Sequence, residues 1–333
     1  MTAAKDLVGP HLQAFFAEHL GQHKRASPQT IHSYRDTFRL LLGFMKERTG
    51  TAPAALRLET LNADAVLAFL DHLESQRGCS VRSRNQRLAS IRSFFRLVAL
   101  RAPESVGLAA QILAIPVKRA DRKLVGYLSR DEMVALLAAP DRAVWSGRRD
   151  HALLLTLYNS GARVSEIIAL RRDQVRVGTG PHLELQGKGR KERVVPLWTE
   201  TARILQAWFR ELGDRVDAVV FPNARGQPLS RDGVDYLLRR AVSSAAQSCP
   251  SLKTKRVSPH VLRHTTAMHL LQAGVDVAVI ALWLGHESIE TTHVYVEADL
   301  ATKERALEKL EPVDTRFARY RADDALLDFL ANL

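Results

Sequence analysis

Residues able to do chemistry are concentrated in four short segments of this 333-residue chain. Gly161-Ala162-Arg163-Val164-Ser165-Glu166 follows an apolar run. Lys188 sits in Gly187-Lys188-Gly189-Arg190-Lys191, between two short apolar stretches. Ser258-Pro259-His260-Val261-Leu262-Arg263-His264 carries two histidines and an arginine. Leu284-Gly285-His286 leads on to Thr291-Thr292-His293-Val294-Tyr295. Arginine stays protonated at any working pH, and its planar fork binds carboxylate or phosphate oxygens in pairs. A tyrosine oxygen becomes a nucleophile once its proton has somewhere to go. Its ordinary pKa of about 10 calls for a nearby base or a cationic field.

Singly, each segment has a plain structural reading. Arg163 and Glu166 could be a surface ion pair at i, i+3. Lys188 could be an ordinary turn lysine. His260 and His264 stand four apart, the spacing of two metal ligands on one helix face. A metalloprotease helix carries Glu beside its first histidine, and Val261 stands there. No cysteine cluster or acid follows at ligand spacing, so no metal is expected. Tyr295 alone would be a packed tyrosine.

Taken together, in order and spacing, the four segments resemble the tyrosine recombinase family, also called the phage-integrase family. That pattern has an arginine in a tight turn after a helix, a hairpin lysine, His-x-x-Arg, then Leu-Gly-His with a tyrosine nine residues on. Here these are Arg163, Lys188, His260 with Arg263, His286 and Tyr295. The resemblance spans about residues 125–312. It implies site-specific cleavage and rejoining of DNA strands through a covalent 3′-phosphotyrosine.

The residues suit that chemistry. A phosphodiester is an anion that resists nucleophiles, and Arg163 and Arg263 would stabilise charge developing on its non-bridging oxygens. Tyr295 would attack. By resemblance, His260 is the base, Lys188 the acid for the leaving 5′-oxygen, and His286 a phosphate ligand that helps place Tyr295. Glu166 would order Arg163. Breaking one phosphodiester and making another can be isoenergetic, and Gly187-Lys188-Gly189 lacks the spacing of a nucleotide-binding loop. No cofactor is implied.

Helices must position these residues. Residues 1–100 read as four helices: Pro10–Leu20; Gln29–Arg48 behind Ser27-Pro28; Ala63–Ser75 behind Asn62; and an Arg-rich helix capped by Ser80 or Ser83. Leu88, Ile91, Phe95 and Val98 form its core stripe. Residues 101–126, with Pro103 and Pro116, break the pattern and hold the linker, giving domains 1–120 and 121–333. Beyond the linker, Ser129 with Glu132 makes a capping box, and Asp150–Asn159 is an apolar helix ended by Gly161. Leu183–Leu185 and Arg193–Val195 form a hairpin. Helices follow at Thr199–Leu212, Arg231–Ala246, Pro259–Ala273, Val277–Leu284 and Asp299–Leu310. The fold class is mainly α with a small β-hairpin (α+β): a helical N-terminal core-binding domain, as the resemblance has it, and a C-terminal catalytic domain.

Composition narrows the partner. Apolar residues are 46% and charged residues 25%, the mix of a soluble globular protein rather than a disordered or collagen-like one. Two distant cysteines, Cys79 and Cys249, make no disulfide framework. No signal peptide or membrane span is legible, so the expected location is cytoplasmic, away from membranes. The net charge of +12 favours a polyanion. Residues 1–120 hold 17 basic and 9 acidic residues. Arg77–Arg101 contains no acid, which makes Arg82, Arg84, Arg87, Arg92 and Arg96 candidate contacts to the phosphates of double-stranded DNA.

Residues 323–333 place Leu326, Phe329, Leu330 and Leu333 on one face. Eleven residues make a helix too short to persist alone, so it must dock. The resemblance implies docking on a neighbouring subunit, hence a homo- or hetero-tetramer on DNA. The run His264-Thr265-Thr266-Ala267 and the residues after Tyr295, Val296-Glu297-Ala298, depart from Xer chromosome-dimer resolvases. They point to the integrase or transposase of a mobile element. A Xer-like resolvase, an accessory protein without cleavage activity and a type IB topoisomerase are the alternatives.

Overall fold

A computed structural model describes residues 6–120, 126–187, 192–213 and 218–298. The chain divides into two compact units, Met1–Arg122 and Lys123–Leu333.

The first unit is helical. α1 (Val8–Ala14) runs into a π-helical stretch, Phe15–His23. α2 (Pro28–Thr49) starts where Ser27 Oγ accepts from Thr30 N, with Pro28 supplying a helical φ, and stops at Gly50 in the left-handed region. Asn62 caps α3 (Ala63–Ser75), and Ser80, rather than Ser83, caps α4 (Val81–Arg101). The expected break after residue 101 contains a further helix, α5 (Val106–Ala114), which buries Ala109 and Ile112. At nine residues it is too short to show a clear period, and its contact with α4 sustains it.

Aromatic rings fill the centre. Phe94 meets Phe15, Phe38 and Phe95 edge-on, with centroids 5.2–5.6 Å apart. Leu88, Ile91, Phe95 and Val98 are fully buried, as their spacing predicts.

The arginines of α4 divide in a way that corrects the expectation of one DNA-facing row. Arg84 is 2% exposed, and its guanidinium donates to Pro116 O (3.3 Å) and Asn85 Oδ1 (3.2 Å), with Glu74 at 3.8 Å. Arg87 donates to Ser33 O and Thr37 Oγ1 on α2. Arg92 donates to Ile115 O. Asn85 exchanges two bonds with the backbone of Lys118. Three arginines therefore tie α4 to α2 and to residues 115–118. The reason is geometric: α4 packs against α2, α3 and α5, so more than one stripe of it is covered. Arg82 and Arg96 remain exposed.

The second unit opens with α6 (Arg130–Ala138), whose capping box pairs Ser129 with Glu132. α7 (Trp145–Ser160) and the short α8 (Val164–Ile168) follow. Three antiparallel strands come next in the order β1 (Val175–Arg176), β2 (His182–Gln186) and β3 (Glu192–Pro196). β2 and β3 are the expected hairpin, with Leu183 opposite Val195 and Leu185 opposite Arg193. β1, two residues long, is below what alternation can reveal. α9 (Thr199–Leu212), α10 (Arg231–Ser248), α11 (Pro259–Gln272), α12 (Val277–Leu284) and α13 (Glu290–Ala298) complete the described part. A core around Leu153, Leu154, Leu183, Val195, Leu205, Trp208 and Leu238 joins sheet to helices. Lys188, the expected helix over 299–310 and the docking helix over 323–333 lie outside the described residues. Among the described residues no helix is long and apolar enough to cross a membrane.

The division among the α4 arginines is testable by denaturation. Arg84→Ala strips a buried polar network of its charge and is expected to cost about 2–4 kcal/mol. Arg96→Ala is expected to stay within about 0.5 kcal/mol of the parent. Equal losses in urea unfolding would contradict the assignment.

Candidate active site

Two glycine turns bring the motif residues together. α7 ends at Gly161 with φ 57°, and Gly161 N bonds Leu157 O at 2.9 Å. A Cβ there would also meet Leu284 Cδ2 at 2.5 Å, so both conformation and space demand glycine. α12 ends at Gly285 with φ 66°, where a Cβ would press on the Arg193 side chain at 3.0 Å.

Arginines stitch these turns to each other. Arg263, on α11 and 3% exposed, donates from Nη1 to Gly161 O and from Nη2 to Leu284 O, each at 2.7 Å. Arg163, at the N-cap of α8, donates from Nη2 to Gly285 O at 3.2 Å. Both guanidinium groups keep further N–H donors for a ligand, since each carries five.

Glu166 organises the cations. Its Oε1 accepts from Arg163 Nη1 (2.9 Å) and its Oε2 from Arg163 N (2.7 Å). Arg193 of β3 grips the same carboxylate with both Nη atoms, at 3.0 and 2.7 Å, and sends Nε to Trp283 O. Burial pushes the Glu166 carboxyl up. The hydrogen bonds and charge of Arg193, with the hydrogen bonds of Arg163, outweigh it and hold the group below the ordinary range. Two guanidinium groups thus share one buried carboxylate beside a cleft of about 420 Å³, with Arg263 close by. Arg163, Arg193, His286 and Thr291 line that cleft, together with the acids Glu192 and Glu287. Burial, then the charges of Arg163 and Arg193, lowers Arg263 to about 10, which still leaves it protonated at neutral pH.

Histidines surround the tyrosine. Tyr295 of α13 is 2% exposed, and its hydroxyl lies 2.9 Å from Nδ1 of His264. His286 stacks near the phenol ring at 6.3 Å and 17°, held through Nδ1 by Thr292 Oγ1 at 2.7 Å. His260 is exposed and stacks on His264 at 5.7 Å and 11°. Burial lowers all three histidines, helped by the Arg263 charge and, for His264, by His260; His264 and His286 fall to about 4. At neutral pH they are uncharged and each keeps a lone pair for a proton or hydrogen bond. Burial raises the Tyr295 hydroxyl, while Arg263 opposes the rise. Among the described residues no group of three or more His, Cys, Asp or Glu is placed to hold a metal ion.

The structure therefore gathers Arg163, Glu166, His260, Arg263, His286 and Tyr295 into one site. Sequence reasoning missed Arg193 and the contact of His264 with Tyr295. Arg193 had a signal: it stands opposite Leu185 and two before Val195, a charge on the buried face of a strand. The spacing of His264 from His260 suggests a metal ligand and gives no sign of the contact with Tyr295, which lies 31 positions on.

Comparison with known proteins agrees with the geometry. The model of the "Phage integrase family" matches residues 126–301, and that of the "Phage integrase, N-terminal SAM-like domain" matches residues 14–101. The integrase/recombinase y4rC of Sinorhizobium fredii is 52% identical over 326 residues, covering 98% of each chain. Tyrosine recombinase XerC of Pelobacter propionicus is 33% identical, covering 89% of this chain and 94% of its own. Among solved structures, the Tn1549 transposon integrase in complex with transposon right end DNA is similar with a TM-score of 0.68 at 16% identity, over 89% of this chain and 98% of that one. XerH bound to its difH substrate gives 0.67 at 20% identity, over 86% and 81%. These two likenesses show the shared two-part fold. The motif order, the clustered arginines beside a buried tyrosine and the sequence relatives lead to one assignment: the chain belongs to the phage integrase family of tyrosine recombinases, site-specific DNA strand transferases.

Proposed function

We infer that Tyr295 attacks a DNA phosphodiester and forms a covalent 3′-phosphotyrosine, which a 5′-hydroxyl of a partner strand later resolves. The observation that supports this most directly is one arrangement: a tyrosine hydroxyl within a shell of neutral histidines, beside Arg263 and the two guanidinium groups that share the Glu166 carboxylate. The phosphate takes the remaining donors of Arg163 and Arg263, where fixed positive charge meets the oxygens as they gain charge. His286 and His260 supply imidazoles at its rim. Lys188 is the acid for the leaving 5′-oxygen. Arg193 does not need to reach the substrate, because its fork is spent on Glu166 and so holds Arg163 in place.

Double-stranded DNA is the partner. The exposed Arg82 and Arg96 contact its phosphates, while Arg84, Arg87 and Arg92 hold the helical unit together. The working assembly is a tetramer on two duplexes, made through the C-terminal segment, in the cytoplasm. The role is that of a mobile-element integrase or transposase. The departures after Arg263 and Tyr295 support that role, as does the greater identity to y4rC than to XerC.

The test is a covalent trap. Purified protein is mixed with nicked suicide DNA from the flanks of its own gene, beside Tyr295→Phe. The parent is expected to form a protein–DNA adduct, and Tyr295→Phe none while still binding DNA. An adduct with Tyr295→Phe would show a different nucleophile. Sequencing the junction gives the site, and a junction at a chromosome-dimer resolution site would assign a Xer-type role. Arg163→Ala and Arg263→Ala are each expected to slow cleavage by about 100-fold or more in single turnover; a loss under about tenfold would remove their role. Glu166→Gln leaves two neighbouring guanidinium groups without their counter-charge. It is expected to lower stability by about 3 kcal/mol and to slow cleavage, measured by denaturation and by the same trap.

A further inference from the structure

With Tyr295 as the nucleophile, the residue nearest its oxygen gains a role. His264 ends the third segment but is given no role by the family resemblance, yet its Nδ1 lies 2.9 Å from the Tyr295 hydroxyl. The family resemblance makes His260 the base for Tyr295. In the structure His260 lies one helical turn earlier, exposed, with its ring parallel to that of His264 at 5.7 Å.

The surroundings decide what is fixed and by what. Tyr295 is buried in one apolar cluster with Ala267, Met268, Leu271, Ile280 and Leu284, and that cluster confines the ring. Packing does not orient the hydroxyl proton and lone pairs; a polar partner must. His264 is itself held firmly, because α11 buries both neighbours, Arg263 and Thr265. Arg263 in turn is bonded to the two glycine turns. The arginine that would bind the phosphate and the histidine that meets the nucleophile are consecutive residues on one rigid helix. Their separation is thereby set by backbone geometry.

We propose, resting on the reading of Tyr295 as nucleophile, that His264 is a positioning residue: through Nδ1 it holds the Tyr295 hydroxyl and sets the direction of its oxygen relative to Arg263. The bond is a neutral one over the working pH range, since burial, His260 and Arg263 keep His264 uncharged. Either tautomer can make it, because a phenol both donates and accepts. Small misplacements of a reacting atom are costly in rate, so losing this partner falls on the cleavage step and not on DNA binding.

The experiment uses the full chain with His264→Asn, His264→Leu and Tyr295→Phe. Asparagine keeps a polar atom near the Nδ1 position, and leucine keeps bulk alone. Single-turnover adduct formation on nicked suicide DNA, DNA affinity and thermal midpoints are measured for each. His264→Leu is expected to cleave about tenfold or more slowly, with DNA affinity close to that of the parent. His264→Asn should recover most of the rate. The midpoint lost on His264→Leu should shrink in the Tyr295→Phe background, where the bond is already gone. Equal slowing by Asn and Leu would make the role one of packing. Unchanged or faster cleavage by His264→Leu, or midpoint losses that simply add, would overturn the proposal. An adduct formed by Tyr295→Phe would instead overturn the reading of the nucleophile.

Discussion

The carboxylate of Glu166 is the constraint on which the site depends. A buried carboxylate is costly unless it is paired and hydrogen-bonded, and here both oxygens are engaged by the arms of Arg163 and Arg193. The reverse also holds. Two guanidinium groups this close, with Arg263 near by, would repel without the shared anion. Glu166 therefore lets the chain hold guanidinium groups close together in one place. Its own backbone position follows from the same bonds, since it accepts from Arg163 N at the first turn of α8.

The rest of the site is built outwards from that cluster by backbone carbonyls. Gly161 O, Leu284 O, Gly285 O and Trp283 O each accept from an arginine. These are the carbonyls that helix ends leave without a partner. At the glycine ends of α7 and α12, carbonyls are thus satisfied by arginines of the candidate site. These bonds hold the arginines in place within the folded chain. The histidines complete the shell from α11 and from the turn after α12, and burial among cations keeps them neutral.

The same use of arginine as an internal tie appears in the helical unit. Arg84, Arg87 and Arg92 reach carbonyls of neighbouring segments, while Arg82 and Arg96 face outwards. A run of basic residues without acids reads as a phosphate-binding face, and that reading treats each arginine as a point charge. Arginine is also a long side chain with several donors, able to cross a helix interface and end on a carbonyl. Which arginines do so depends on how many helices surround α4, and no local pattern reveals that.

The sequence by itself determined the helix caps, the alternation of the hairpin and the motif spacing that places the chain in its family. Each of these is a matter of local stereochemistry or of spacing along the chain: Ser27, Asn62, Ser80 and Ser129 bond backbone within three residues. Tertiary structure alone decided that Arg193 closes on Glu166 from 27 positions away and that His264 meets Tyr295 from 31 positions away. It also decided that Arg84, Arg87 and Arg92 of α4 turn to neighbouring segments. Such pairings depend on which faces of separate helices and strands come together. A buried polar atom takes the partner within reach in space, and the linear order of residues does not record that distance.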